Sequence, residues 1–159
     1  MTERVGNLQE LSEFVARVDL RGIIAQECHA VRHSGDAPQR ATASLDTGFS
    51  SRAGAVDYRF TLECQALSEA GDAVADLTVV LLASFTFEGE DVGDPVYQSF
   101  GANVAIMTAY PYLRQHIHDL AGRIGLMNFT LGLLKQPNRQ QGFSIVSSGS
   151  SSVNPEEEK

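Results

Sequence analysis

The chain has 159 residues, 43% of them hydrophobic and 20% charged, with a formal net charge of −8. That size and apolar content describe one domain with a real core, and acidity without a basic stripe argues against nucleic-acid partners, whose affinity comes from neutralised phosphates. With no basic-plus-apolar leader and no apolar run approaching about 18 residues, a soluble cytoplasmic protein without membrane insertion is expected.

In NLQELSEFVARV, residues 7–18, Leu8, Leu11, Val15 and Val18 recur at 3–4 spacing. This predicts an amphipathic helix capped by Asn7, with Glu10 completing a capping box. Residues 19–33 are rich in Ile, Val and Ala, and Gly22 interrupts any helix, so they read as a strand with a bulge near Gly22. Residues 34–38 form a turn, and 39–47 read as a second strand. In AVDYRFTLECQAL, Val56, Tyr58, Phe60, Leu62, Cys64 and Ala66 alternate with polar residues, the period of a half-buried strand. SEAGD, 68–72, turns the chain into a fourth strand, 73–87. There Leu77, Val79, Leu81, Ala83, Phe85 and Phe87 share one face, and the opposite face is apolar at Val80 and Leu82. The acidic stretch 88–95 lacks the ligand spacing of a calcium loop and reads as a solvated turn.

From 96 to 124 the period becomes helical, with Phe100, Val104, Met107, Leu113, Ile117, Leu120 and Ile124 in a row. The wide step around Pro111 suggests two helical pieces, and Gly125 ends the second. Ala105, Ile106 and Ala109 widen the stripe beyond what one small sheet covers, which favours an oligomer. From 136 the chain is Gln, Asn, Ser, Gly and Pro, so 1–135 is expected as the folded domain and 136–159 as a polar, disordered tail. The order helix, four strands, helix is α+β, an antiparallel sheet with helices on one face.

Chemistry-bearing motifs are sparse. Asp46-Thr47-Gly48 is the triplet of aspartic proteases, whose dyad needs two carboxylates about 3 Å apart sharing one proton. With one triplet per chain, the alternative reading is a dimeric aspartic protease; the simpler one is a strand end that turns the chain. His116 and His118, two apart on a helix, point away from each other and cannot easily share a metal. Cys28 and Cys64 form no CxxC pair and read as buried thiols. No catalytic set, metal site or cofactor loop is apparent, so no enzyme and no cofactor is expected.

The segment AYPYLRQHIHDLAGRIG, 109–125, resembles the SecB family of export chaperones, above all the SecB-like chaperones of actinobacterial toxin–antitoxin systems. The matching residues are Tyr110-Pro111-Tyr112, Arg114, Asp119-Leu120, Gly122-Arg123 and the trailing Phe129-Thr130-Leu131. Leu45-Asp46-Thr47, at the expected end of the second strand, and Phe85-Thr86-Phe87, closing the fourth, extend the likeness over roughly residues 18–135. The resemblance implies a four-stranded antiparallel sheet with a long C-terminal helix packed on one face and a short N-terminal helix. It implies an ATP-independent holdase that assembles as a dimer of dimers and binds non-native polypeptides, a preprotein for export or an antitoxin, in apolar grooves. Under it, Leu45, Phe49, Phe129, Leu131, Leu133 and Leu134 are the groove candidates, and Met107, Tyr110, Leu113, Ile117 and Leu120 the oligomer helix. Two departures stand out. The second groove-lining helix of exporting members is short or lost after Leu134. Of the acids that dock the motor ATPase SecA, Glu27 and Asp76 are kept, but Val31 and Thr78 stand where others are expected. This favours a chaperone dedicated to one client such as an antitoxin, or a holdase weakly coupled to export; an adaptor for one folded partner is a further alternative.

Overall fold

The computed structural model describes residues 2–132 and 145–146, with side chains over 8–132. Helix α1 (Thr2–Val15) leads into four long strands, β1 (Val18–Arg32), β2 (Arg40–Arg52), β3 (Ala55–Leu67) and β4 (Ala73–Phe87). They form one antiparallel sheet in the order β1-β4-β3-β2, so β1 and β2 are its edges. Helix α2 (Asp94–Phe100) runs through a π-helical turn, Gly101–Ala105, into α3 (Ile106–Arg123). A two-residue strand β5 (Thr130–Leu131) pairs antiparallel with β6 (Ile145–Val146).

The alternation in β3 and β4 does what its period requires. Val56, Tyr58, Phe60, Leu62, Leu77, Val79, Leu81, Ala83 and Phe85 are buried toward the helices. On the opposite face Val80 is also buried, between Glu27 and Thr61 in register, while Leu82 is half-buried beside an exposed Ile24. Strand β1 carries register shifts between Leu20 and Gly22 and between Ala25 and Glu27, so the bulge expected near Gly22 is present and has a companion.

The N-terminal helix differs from its sequence pattern. It begins at Thr2, which places Asn7 inside it rather than at its cap, and Val18 is already strand. Leu11 and Phe14 face the core, whereas Leu8 and Val15 are exposed. Phe14 anchors the helix edge-on against Phe87, Tyr97 and Phe100, with ring centroids 5.2, 5.6 and 5.2 Å away. Arg17 lies over the Phe14 and Phe87 rings and donates to the carbonyls of Glu88 and Glu90, fastening the acidic turn. Asp91 in that turn accepts hydrogen bonds from the Tyr97 hydroxyl and the Gly93 N–H, which hold its carboxyl below the usual range.

The long helix is continuous through Pro111, and its irregularity lies upstream. The π turn adds a residue, so the core row runs Tyr97, Gly101, Ala105, Ala109, Leu113, Ile117, Ala121. Ala105, Ile106 and Ala109 are therefore core, and the expected row of Val104 and Met107 is turned partly to solvent. Tyr58 explains the site of the turn: its buried hydroxyl donates to the Tyr97 carbonyl at 2.7 Å, and its ring fills the space where Gly101 has no side chain. At the other end, Gly125 takes a left-handed φ of 78°, and the Leu126 N–H returns to the Ala121 carbonyl at 2.8 Å. Arg32 donates to the Ile124 carbonyl at 3.0 Å, tying this exit to the end of β1.

Candidate functional site

After α3 the chain doubles back, and two helix side chains fix its path. The Tyr110 hydroxyl donates to the Gly132 carbonyl at 2.6 Å, and Arg114 Nε donates to the Leu131 carbonyl at 2.8 Å. Residues 110 and 114 lie one turn apart on one side of α3, so together they hold β5 beside the helix. Met107, 47% exposed, lies on the same stripe, three residues before Tyr110. Beyond β5 stand β6 and then edge strand β2, whose helix-facing residues Ala41, Ala43, Leu45 and Phe49 are half-buried. Phe49 packs 6.1 Å from Tyr58 and 5.8 Å from Tyr97. The region between β2 and β5 is thus walled by apolar residues on one side and by a pinned backbone on the other.

The expected groove residues divide accordingly. Leu45 and Phe49 are half-buried on β2. Phe129 and Leu131 are buried in the chain's own core and line no open surface, because the turn after Gly125 folds them inward. Leu133 and Leu134 lie outside the described residues. Most of 136–159 lies outside them too, but Ile145–Val146, inside the expected tail, form β6. Sequence reasoning missed Arg114 and Tyr110 as the holders of β5; the signal was the spacing of the Tyr110-Pro111-Tyr112-x-Arg114 motif itself.

On the other side of α3, Tyr112, His116 and Leu120 form a stripe at four-residue spacing. His116 Nδ1 lies 3.7 Å from Cys28 Sγ on β1. Cys28 is exposed, a correction to the expectation of two buried thiols; Cys64 is buried, which pushes its thiol up to about 12. Cys28 is exposed because the helix-facing row of β1, with Leu20, Ile23, Ala25 and Cys28, extends past the cover that α3 provides. Of the residues expected at a subunit interface, Tyr110, Leu113 and Ile117 are core within the chain, Leu120 is half-buried, and Met107 lies on the β5 side.

The helix-free face of the sheet is polar at one end. A cleft of about 410 Å³ is lined there by Thr42, Ser44, Glu63, Gln65, Asp76 and Thr78. Asp76 accepts hydrogen bonds from His33 (2.6 Å) and Gln65 (3.0 Å), which lower its carboxyl, and Glu27 stands on the same face opposite Val80. The two candidate docking acids therefore share one exposed face. Near the opposite end Asp57 pairs with Arg52.

Asp46-Thr47-Gly48 lies in the middle of β2, opposite Thr61, Phe60 and Arg59, and not at a strand end. The strand continues to Arg52 and turns at Gly54, which has the positive φ of 71° that a tight turn requires. No loop presents Asp46 as a dyad carboxylate. Among the described residues no group of three or more His, Cys, Asp or Glu could hold a metal ion, and no helix is long and apolar enough to cross a membrane.

A four-stranded antiparallel sheet backed by a long C-terminal helix, with a short helix before it, is the SecB-like chaperone fold. The structure superposes with a TM-score of 0.74 on the Mycobacterium tuberculosis SecB-like chaperone Rv1957, solved in complex with a ChAD peptide from the Rv1956 HigA1 antitoxin. That match has 22% sequence identity and covers 81% of this chain and 99% of the other. In sequence, the chain is 35% identical over 69 residues to SecB-like chaperone Rv1957 of strain ATCC 25618 / H37Rv and to SecB-like chaperone MT2006 of strain CDC 1551 / Oshkosh. The matched stretch is 41% of this chain and spans 37% of those relatives' own length. No protein-family model matches the chain.

Proposed function

We propose that this protein is an ATP-independent holdase that binds non-native polypeptide without catalysis, with an antitoxin as its dedicated client. The observation that carries the reading is a SecB-like fold joined to sequence similarity with SecB-like chaperones, one of which has been solved with an antitoxin peptide. The client site is the region between β2 and β5, with the half-buried Leu45 and Phe49 as its anchors; Leu133 and Leu134 remain candidates from the sequence alone. Each apolar client side chain buried there contributes about 1.5–3 kcal/mol, and ordering the client offsets much of it. A few anchors then leave about micromolar affinity, which binding across several subunits raises by avidity.

The oligomer follows from the edge that one chain leaves open. Among the described residues no strand pairs with the outer edge of β1, which carries exposed apolar residues at Leu20, Ile24 and Val31, a surface that a second copy would cover by strand pairing. Tyr112, 51% exposed, and Leu120 flank that edge and extend the contact, which supports a dimer that pairs again into a tetramer. SecA docking through Glu27 and Asp76 is disfavoured, since Asp76 is engaged by His33 and Gln65 and its neighbours include Val31 and Thr78. The cytoplasm is the compartment in which such clients are met.

The test is aggregation of a chemically unfolded client monitored by light scattering. Suppression at stoichiometric amounts without nucleotide is the expected result, unchanged by Asp46→Asn. No suppression at tenfold excess overturns the proposal.

A further inference from the structure

We infer that β6 is a resident strand that occupies the client site in the free protein and must leave before a client binds. This rests on the holdase reading above and adds to it a form of self-regulation.

Three observations converge. First, β5 is held from the helix side by Arg114 and Tyr110, so the strand stays in place whatever pairs with its other edge. That edge carries backbone groups ready for an added strand, a recognition mode that reads main chain and tolerates many sequences. Second, the edge is taken by this chain's own Ile145–Val146, in register with Leu131 and Thr130. The same strand lies against β2, where the half-buried Leu45 and Phe49 stand. Third, the sequence around β6 is built like a client. In Lys135–Lys159 the only large apolar residues are Phe143, Ile145, Val146 and Val153, and Gln, Ser, Gly and Asn surround them. A short apolar, β-branched segment in a polar chain is the chemistry a holdase captures from an unfolded protein.

Among the described residues the pairing spans two residues, which suits an occupant that yields. The connection through residues 132–144 keeps β6 near its site at an effective concentration of about millimolar, so a weakly pairing strand still fills it. A client then meets the site open only part of the time, and its apparent Kd rises by the inverse of that fraction. An exposed apolar edge is also an aggregation hazard, and the resident strand shields it between clients.

The experiment uses the full-length chain and reduced, carboxymethylated α-lactalbumin, a permanently unfolded probe, labelled for fluorescence anisotropy. The double variant Ile145→Pro/Val146→Pro removes whichever N–H group donates to β5 and leaves the rest of the chain intact. Circular dichroism confirms that each variant keeps the fold, and Val153→Pro controls for a general effect of proline in the tail. The double variant is expected to bind the probe about fivefold more tightly than wild type, with Val153→Pro unchanged. A synthetic peptide of residues 140–150 added in trans is expected to compete with the probe on the double variant. Binding by the double variant at wild-type affinity or weaker, or equal tightening by Val153→Pro, overturns the inference while leaving the holdase reading in place. Absence of probe binding in wild type and variants alike overturns the holdase reading, and the inference with it.

Discussion

Replacing Gly101 with Ala tests whether the π turn is built around Tyr58. A Cβ at Gly101 would stand 2.7 Å from Tyr58 Cε1 and 3.0 Å from Cδ1, against about 3.5–4.0 Å for ordinary carbon contacts. The ring has no easy way to yield. Its hydroxyl is bonded to the Tyr97 carbonyl, and Phe85, Phe100 and Phe49 pack around it at 5.8, 5.7 and 6.1 Å. Overpacking of this kind costs about 1–3 kcal/mol, and weakening the buried hydroxyl bond adds about 1 kcal/mol. Helix propensity acts the other way by about 1 kcal/mol. The expected net loss is about 2 kcal/mol, or roughly 4–8 °C in Tm for a chain of this size. Gly122, inside α3, has no heavy atom near its would-be Cβ, so Gly122→Ala is expected to stabilise by about 0.5–1 kcal/mol. The assay is urea unfolding followed by circular dichroism, since the chain has no tryptophan, at fixed protomer concentration. A second test places Gly101→Ala in a Tyr58→Leu background, where its cost should shrink by more than 1 kcal/mol. If Gly101→Ala unfolds at or above the wild-type midpoint with the same slope, the account of the turn is wrong.

The remaining predictions concern the two flanks of α3 and the thiols. Arg114→Ala removes the donor to the Leu131 carbonyl and is expected to cost about 1–2 kcal/mol of stability and weaken client binding severalfold, with sedimentation unchanged. Leu120→Glu is expected to do the reverse, weakening self-association at least about tenfold by placing a charge at an apolar contact, with client affinity per protomer retained. A thiol reagent should modify Cys28 in the native protein and reach Cys64 only in urea, and equal rates at both would contradict the burial. Burial pushes the Cys64 thiol from 9.0 to about 12, and burial with the nearby Asp91 pushes the Tyr97 hydroxyl from 10.0 to about 12. Between about pH 9 and 12 the unfolded chain therefore holds fewer protons than the native one, so unfolding free energy should fall with pH, and a flat profile there refutes both shifts.

How far the sequence reveals the fold depends on how local the determining physics is. Strands β3 and β4 are legible because a period of two, with one face buried, fixes type and direction at once. Strand β2 is legible in kind but not in extent. Thr47 and Gly48 look like a turn, yet cross-strand pairing with Phe60 and Arg59 carries the strand on to Arg52, and tertiary pairing outweighs local propensity. The long helix is legible as helix but its core row only in part: Phe100, Leu113 and Ile117 are core, whereas Val104 and Met107 are not, because a π turn shifts the phase, and its cause, Tyr58, lies 43 positions before Gly101 in a strand. Exposure at Cys28 is hidden for a related reason. Its flanking pattern is that of a covered strand, and α3 covers only part of that row. The candidate site is less legible: Phe129 and Leu131 look like groove residues but are core, and the motif residues Tyr110 and Arg114 stand out by resemblance while their hold on two carbonyls of the exit segment is a contact between distant elements.

These contacts give α3 three separate duties along its circumference. The row Ala109, Leu113, Ile117, Ala121 is sealed against the sheet. The stripe of Tyr112, His116 and Leu120 lies toward β1, and Tyr110 and Arg114 on the other side hold the exit segment at Gly132 and Leu131. On the proposed reading, self-association and client capture would fall on opposite sides of one rod whose core row is packed within the chain. A holdase gains from that division. In the proposed holdase an oligomer would stay assembled while the client side changes occupants, and several client sites would act together by avidity. In the proposed exchange it is β6, paired through Ile145 and Val146 with β5, that leaves, while β5 stays pinned to α3 by Tyr110 and Arg114.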